Sequence, residues 1–316
     1  MDFSGLSALV GEENISLNVP MASLTTFKIG GPADATVRPQ DVEQLKEVTE
    51  WCREKGLPWI LLGKGSNILV NDEGFRGVVI CPEGDFLSIH TEGYQIHVGC
   101  GVTLARAAKE ALDHGLTGLE FAAGIPGSLG GAVYMNAGAY GGEMSQVLGS
   151  ICYLDGSGIR HIGPEEARFT YRGSRFMQEK SLVLGAVICL KPGDAGQIQE
   201  RMRDLAGRRR EKQPLEYPSA GSMFKRPEGY FAGKLIQDAG LAGFSVGGAR
   251  VSEKHCGFVI NTGSATARDV RALVQAVHNK VWESFGVRIW PEVRYLGHKG
   301  WEPMLASEGE VCATLS

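Results

Sequence analysis

Two glycine-rich stretches hold the residues best suited to ligand chemistry. Gly63, Lys64, Gly65, Ser66 and Asn67 follow a short apolar run, and residues 120–143 read EFAAGIPGSLGGAVYMNAGAYGGE. Glycine leaves the backbone uncovered, so such loops can turn N–H donors toward an anion, and Ser66 and Asn67 add small polar groups suited to phosphate or ribose oxygens. In the second stretch Gly124, Gly127, Ser128, Gly130 and Gly131 leave the chain almost bare over one short arc. A packing turn would explain small residues, but not two such loops in one domain of this size. Neither loop is a nucleotide fingerprint of the common kinds. In the first, Ile68 stands at the third glycine position of a GxGxxG pattern, and strand-like sequence follows where a helix is required. Residues 229–234 fall one short of a P-loop, with Leu235 where a magnesium-binding Ser or Thr belongs.

Three polar residues stand apart from these loops: Arg172 in YRGSRF, Ser222 in AGSMFKRP and Glu292 in WPEVRYLG. Taken singly they read as a surface arginine, a turn serine and a strand-end carboxylate beside Arg294. Other chemistry finds little support. The seven histidines lack HExxH spacing, and His90 and His97, at the base of a hairpin, suit a surface or core role better than metal binding. No GxSxG elbow exists, so a hydrolase triad is not indicated. The seven cysteines are never closer than 19 residues, which leaves no CxxC pair and points to a reducing cytosol.

The elements that must position these groups follow from composition and pattern. A chain of 316 residues suggests about two domains. With 43% hydrophobic and 22% charged residues it is neither disordered nor a membrane bundle, and a net charge of -4 argues against a nucleic-acid partner. No apolar run is long enough to span a membrane, and the amino terminus lacks a basic targeting region, so the expected location is the cytoplasm, without membrane insertion. Residues 1–22 read as a loosely tethered arm. Strands are expected at 33–38, 58–62, 68–70 and 78–81, hairpins at 86–98 and 151–162, and further strands at 182–190, 256–260 and 287–296. Helices are expected after Asp41 and Thr103, over 195–212, near 231–239, and after Thr266, where Asp269 completes a capping box. The basic end of the 195–212 helix reads as a solvated face rather than a nucleic-acid patch.

Read in order, TTFKIGGPAD, GKGSN, GIPGSLGGAVYMNAGAYGGE, YRGSRF, RRREKQPLEYPSAGSMFKRP, AGKLIQDAGL and EVRYLG resemble the UDP-N-acetylenolpyruvoylglucosamine reductases, the MurB family, over residues 23–297. The resemblance implies an α+β chain. A two-subdomain FAD-binding domain of the vanillyl-alcohol-oxidase (PCMH) type would span 23–193, after the 1–22 arm. A helical connector (194–212), a smaller α/β substrate domain (213–298) and a tail (299–316) would follow. It further implies FAD held by Gly63, Lys64, Gly65, Ser66 and Asn67, by Gly124, Ile125, Pro126, Gly127, Ser128, Gly130 and Gly131, and by Asn136, Ala137 and Gly138. NADPH would reduce the flavin, which would then reduce a UDP-linked amino-sugar enolpyruvyl ether at its β-carbon. Arg172, alongside Glu292, would pair with the carboxylate of the resulting enolate, and Ser222 would protonate its α-carbon. Tyr217, Arg226 and Lys234 are the implied diphosphate and uridine contacts.

The chain departs from the family's longer branch. Only 49 residues separate Arg172 from Ser222, too few for that branch's tyrosine loop, Arg226 replaces an asparagine, and Ala242 replaces a frequent lysine. No obligate protein partner is evident. Two competing readings remain at this point: an oxygen-dependent oxidase with the same flavin cradle, and a phosphate-ligand sensor without catalysis.

Overall fold

The structure, a computed structural model, describes residues 2–179 and 181–305, so the far end of the expected tail, 306–316, lies outside the described residues. It divides into two compact units that are not consecutive along the chain. The first draws on residues up to Ser16, Ala35–Lys64 and Val78–Glu211; the second on Leu17–Asp34, Gly65–Gly77 and the described residues from Lys212 onward. The divisions fall inside strands Ile15–Pro20, Pro32–Val37 and Phe75–Ile80, between Lys64 and Gly65 of the first glycine loop, and at the last residue of the helix Ala195–Lys212.

The first unit has two hydrophobic cores. One is built on helices α1 (Ser4–Val10) and α2 (Val42–Glu54). Asp41 starts α2 by accepting the Gln44 amide at 2.8 Å, and Leu45, Val48 and Cys52 form its buried stripe. Strand Trp59–Leu61 runs parallel to Phe75–Ile80, with Trp59 opposite Val78. The amino terminus departs from the loose arm expected of it, because Phe3, Leu6 and Val10 are buried in this core.

The other core lies under a five-stranded antiparallel sheet in the order Gly158–Ile162, Leu148–Asp155, Leu182–Cys189, Gln95–Gly99, Ile89–Glu92. Residues 86–87 were expected to open the last hairpin but belong to a 3-10 turn, Gly84–Leu87, so the strand begins only at Ile89. Helix α3 (Leu104–Asp113) is capped by Thr103, whose hydroxyl accepts the Arg106 amide at 3.2 Å. Helix α4 (Leu129–Tyr134) rises inside the glycine-rich stretch, and α5 (Ala195–Lys212) ends the unit.

The second unit carries a four-stranded antiparallel sheet in the order Ser219–Ser222, Phe258–Asn261, Ala249–Val251, Ser245–Val246. Helices α6 (Ala232–Asp238) and α7 (Ala267–Phe285) contribute to its core, and α7 begins with the expected capping box of Thr266 and Asp269. A smaller sheet joins Trp301–Glu302, Arg294–Leu296 and Ile68–Val70, the last two parallel with Arg294 opposite Ile68. Asp72 fastens the same early segment to α7, its carboxylate accepting the Ala267 and Arg268 amides at 2.7 and 3.0 Å. These free amides at a helix start favour an anion, which is why a carboxylate from 195 residues away can serve. The strand expected over 287–296 is confined to Arg294–Leu296; Pro291 has no N–H to give a ladder, and the chain there bridges Phe224 instead. Among the described residues no helix is long and apolar enough to cross a membrane.

Candidate active site

The two glycine loops meet in the first unit. A side-chain carbon built on Gly63 would collide with the Ser128 hydroxyl, so the first loop's backbone lies directly against the second. Within the second loop the amides of Ile125, Gly127, Leu129 and Gly130 donate to Ala122, Ile125, Val102 and Cys100 carbonyls. Pro126 has no amide proton. The donors of Gly124, Ser128 and Gly131 lie outside this backbone network, and they narrow the anion site expected of the loop to three positions. Glu120, buried where the stretch opens, is satisfied by the Thr117 hydroxyl at 2.6 Å and the Gly118 amide at 2.9 Å.

Across the Lys64–Gly65 division, Gly65 belongs to the second unit and has φ +57. A side-chain carbon there would collide with the Leu24 carbonyl oxygen and stand 2.9 Å from Thr25 Cα. Backbone cannot step aside as a side chain can. Gly65→Ala should therefore cost about 2–5 kcal/mol, the sum of left-handed strain and overpacking, read as a drop in denaturation midpoint. An unchanged midpoint would show that this turn is not fixed as described.

Arg172 sits in a tight turn of the first unit, where Thr170 and Gly173 exchange backbone hydrogen bonds of 3.0 and 3.2 Å. Its φ is +55, a conformation that favours glycine, and its Nη2 donates to the Gly138 carbonyl at 3.0 Å. Asn136 braces this arrangement: its buried side chain donates to Thr170 O at 3.1 Å and accepts the Ser145 amide at 3.0 Å. Of the expected flavin contacts, Asn136 thus has its amide committed to positioning the turn. Ala137 and Gly138 lie beside it, with Gly138–Ala139 paired to Gly142–Glu143.

The second unit brings Ser222 and Glu292 together. A bulge separates Ser219 from Ser222 in the strand, and Gly221, at φ +79, supplies the turn that re-aims the serine. Beyond it Met223 donates to Gly257 O, and Glu292 donates back to Met223 O, both at 2.8 Å. Lys225 donates to Trp290 O, also at 2.8 Å, so residues 223–225 and 290–292 run as neighbours. Asn67 grips the same segment, its side chain donating to Glu292 O at 3.3 Å while its carbonyl accepts the Arg294 amide at 3.1 Å. Expected as a flavin contact, Asn67 thereby also holds the backbone of Glu292.

The three expected substrate contacts are all exposed. Lys234 forms an i,i+4 ion pair with Asp238, and Arg226 lies over the Phe231 ring at 3.9 Å while donating to Tyr230 O at 3.2 Å. Tyr217 follows Pro214, whose carbonyl accepts its amide at 3.2 Å. His90 and His97 stack with centroids 4.5 Å apart, and among the described residues no group of three or more metal-ligating side chains forms. Sequence reading missed the inward turn of Arg209, whose guanidinium lies beside Gly124. The signal was its place on the stripe of Ile198, Met202 and Leu205 along α5.

Burial pushes the Cys52 and Cys100 thiols up to about 12 and Cys81 up to about 11, whereas Cys189 is exposed. Thiol reagents attack the thiolate, so the three raised cysteines should stay inert near neutral pH in the native protein. Cys189→Ser should remove one rapidly reacting equivalent in a thiol titration, and Cys100→Ser should leave the fast phase unchanged.

Residues 33–160 match the family described as FAD binding domain, and residues 213–296 match UDP-N-acetylenolpyruvoylglucosamine reductase, C-terminal domain. A UDP-N-acetylenolpyruvoylglucosamine reductase of Lachnoclostridium phytofermentans is 50% identical over 299 residues, covering 93% of this chain and 96% of that relative. One from Syntrophomonas wolfei is 47% identical over 298 residues, covering 94% and 100%. The crystal structure of UDP-N-acetylenolpyruvylglucosamine reductase (MurB) from Thermus caldophilus aligns with a TM-score of 0.78 at 36% identity, over 89% of this chain and 98% of that one. With an FAD-binding domain ahead of this C-terminal domain, and such identity to relatives along nearly their whole length, the chain is an oxidoreductase and belongs to the UDP-N-acetylenolpyruvoylglucosamine reductase family.

Proposed function

We propose that the protein reduces the enolpyruvyl ether of UDP-N-acetylglucosamine to UDP-N-acetylmuramate, with FAD bound and NADPH as electron donor, in the cytoplasmic synthesis of peptidoglycan precursors. The observation that carries this reading is the meeting of two bare glycine loops, Gly63 against Ser128, in the unit that matches an FAD-binding domain. Such a pair of loops suits a dinucleotide diphosphate, because only a bare residue at Gly63 lets them meet and three loop amides remain to donate. The amides of Gly124, Ser128 and Gly131, with Gly63, Lys64 and Ser66, would hold that diphosphate, and Ile125, Pro126, Ala137 and Gly138 would wall it.

When bound, FAD supplies the two-electron reduction of the substrate double bond. The remaining work falls to side chains. Addition at the β-carbon leaves negative charge on the α-carbon and its carboxylate, and Arg172 would neutralise that carboxylate through its planar fork. Ser222 would give its hydroxyl proton to the α-carbon. Serine is a weak acid, but a carbanion-like enolate is a strong enough base to take the proton at hydrogen-bond distance. Glu292, fixed beside Ser222 through Met223, would complete the polar set around the reacting carbons. Arg226, Lys234 and Tyr217 would meet the nucleotide diphosphate and uridine.

Purified protein is expected to be yellow, with an absorbance band near about 450 nm, to release FAD on denaturation, and to bleach on anaerobic addition of NADPH. A colourless protein that takes up no FAD would overturn the reading in favour of a phosphate-ligand sensor.

A further inference from the structure

The basic run at 208–210 does not face solvent evenly. Arg208 and Arg210 are exposed, and Arg208 pairs with Asp204 at 2.9 Å, whereas Arg209 is half-buried. Helical spacing explains which one turns inward. Ile198, Met202, Leu205 and Arg209 stand at i, i+4, i+7 and i+11, one stripe of α5, and the first three are buried or packed on the core of the five-stranded sheet. A cation thus occupies the position where the pattern calls for another apolar residue.

That cation meets the second glycine loop. A side-chain carbon on Gly124 would stand 3.4 Å from both Cδ and Nη1 of Arg209, and both residues lie in the same compact unit. Among the described residues no carboxylate forms an ion pair with it. Burial draws its pKa below the ordinary arginine value, with Tyr140 opposing. The guanidinium nevertheless stays protonated wherever the fold persists. A half-buried charge costs solvation, and among the described residues no acid pairs with it to offset that cost. The partner that suits it is an anion arriving at the loop.

We propose that Arg209 is a phosphoryl clamp, its guanidinium acting with the Gly124, Ser128 and Gly131 amides to bind the diphosphate of the dinucleotide held by this loop. The assignment rests on the flavin reading above and deepens it. An arginine fork suits two phosphoryl oxygens at once, and its charge makes the contact sensitive to salt. Arg209 touches no reacting carbon; its work is to hold and position the cofactor.

The test is equilibrium titration of flavin-stripped protein with FAD, FMN and riboflavin, followed by fluorescence at two salt concentrations. Arg209→Gln should weaken FAD binding roughly 10- to 100-fold and flatten its salt dependence, while riboflavin, which has no phosphate, binds as to the wild type. Arg210→Gln, one residue along on the exposed face, should behave as wild type. Wild-type FAD affinity in a folded Arg209→Gln protein would overturn the clamp while leaving the flavin reading intact. So would weakened binding of NADPH or the UDP-linked substrate with FAD affinity preserved, since the guanidinium would then serve another phosphate. Should the glutamine variant fail to fold, Arg209→Lys decides: it keeps the charge but loses the fork, and should weaken FAD several-fold, whereas unchanged affinity would overturn the proposal. If wild-type protein binds no FAD, both readings fall together.

Discussion

Ser222→Ala is expected to lower turnover by about 10²–10⁴-fold while NADPH still bleaches the bound flavin at the wild-type rate. The serine is placed by a bulge at Gly221, and its strand is tied through Met223 to Gly257 on one side and Glu292 on the other. Removing one hydroxyl from a half-buried surface position leaves these backbone bonds in place, so the fold should survive. What is lost is the proton for the α-carbon. Stopped-flow traces should therefore show normal flavin reduction by NADPH and a collapse of reoxidation by the enolpyruvyl substrate. Two unimpaired half-reactions would remove Ser222 from the chemistry.

Arg172→Gly should separate activity from stability in the same direction. At φ +55 the arginine occupies a turn position that glycine adopts without strain, and holding a side chain there costs about 1–2 kcal/mol. Glycine would relieve that strain but add unfolded-state freedom of about 0.5–1 kcal/mol and lose the hydrogen bond to Gly138, worth about 0.5–1.5 kcal/mol, so the effects largely cancel. Turnover should nonetheless fall by at least about 10²-fold, because the cation meant for the substrate carboxylate is gone. Arg172→Lys should recover part of that loss, as it restores charge but not the fork. A glycine variant that melts far below wild type, with activity lost only in proportion, would instead make Arg172 a structural residue.

What the sequence made legible was local. Thr103 and Thr266 announce their helices because a cap needs only residues two or three positions away. The glycine loops were visible because bare backbone is a property of composition. The amino-terminal helix was not, since a single pair of turns with Phe3, Leu6 and Val10 is stabilised by a core supplied from elsewhere in the chain. Nor could pattern show that Ile68–Val70 pairs with Arg294–Leu296, or that Asp72 would cap α7, because both depend on residues some two hundred positions apart. Asn67 reads from its loop as a small polar group suited to a ligand, and its grip on Glu292 appears only in three dimensions. Arg209 was legible in its helical spacing from Ile198, Met202 and Leu205, although its charge alone reads as a solvated face.

The most direct test is a single turnover without oxygen. Protein reduced by one equivalent of NADPH is mixed anaerobically with UDP-N-acetylglucosamine enolpyruvate, and the flavin band and product mass are followed together. The expected result is full return of the yellow colour and a product carrying the mass of an added H2. Colour that returns only when oxygen is admitted, with the UDP sugar unchanged, would contradict the reductase reading and favour an oxidase.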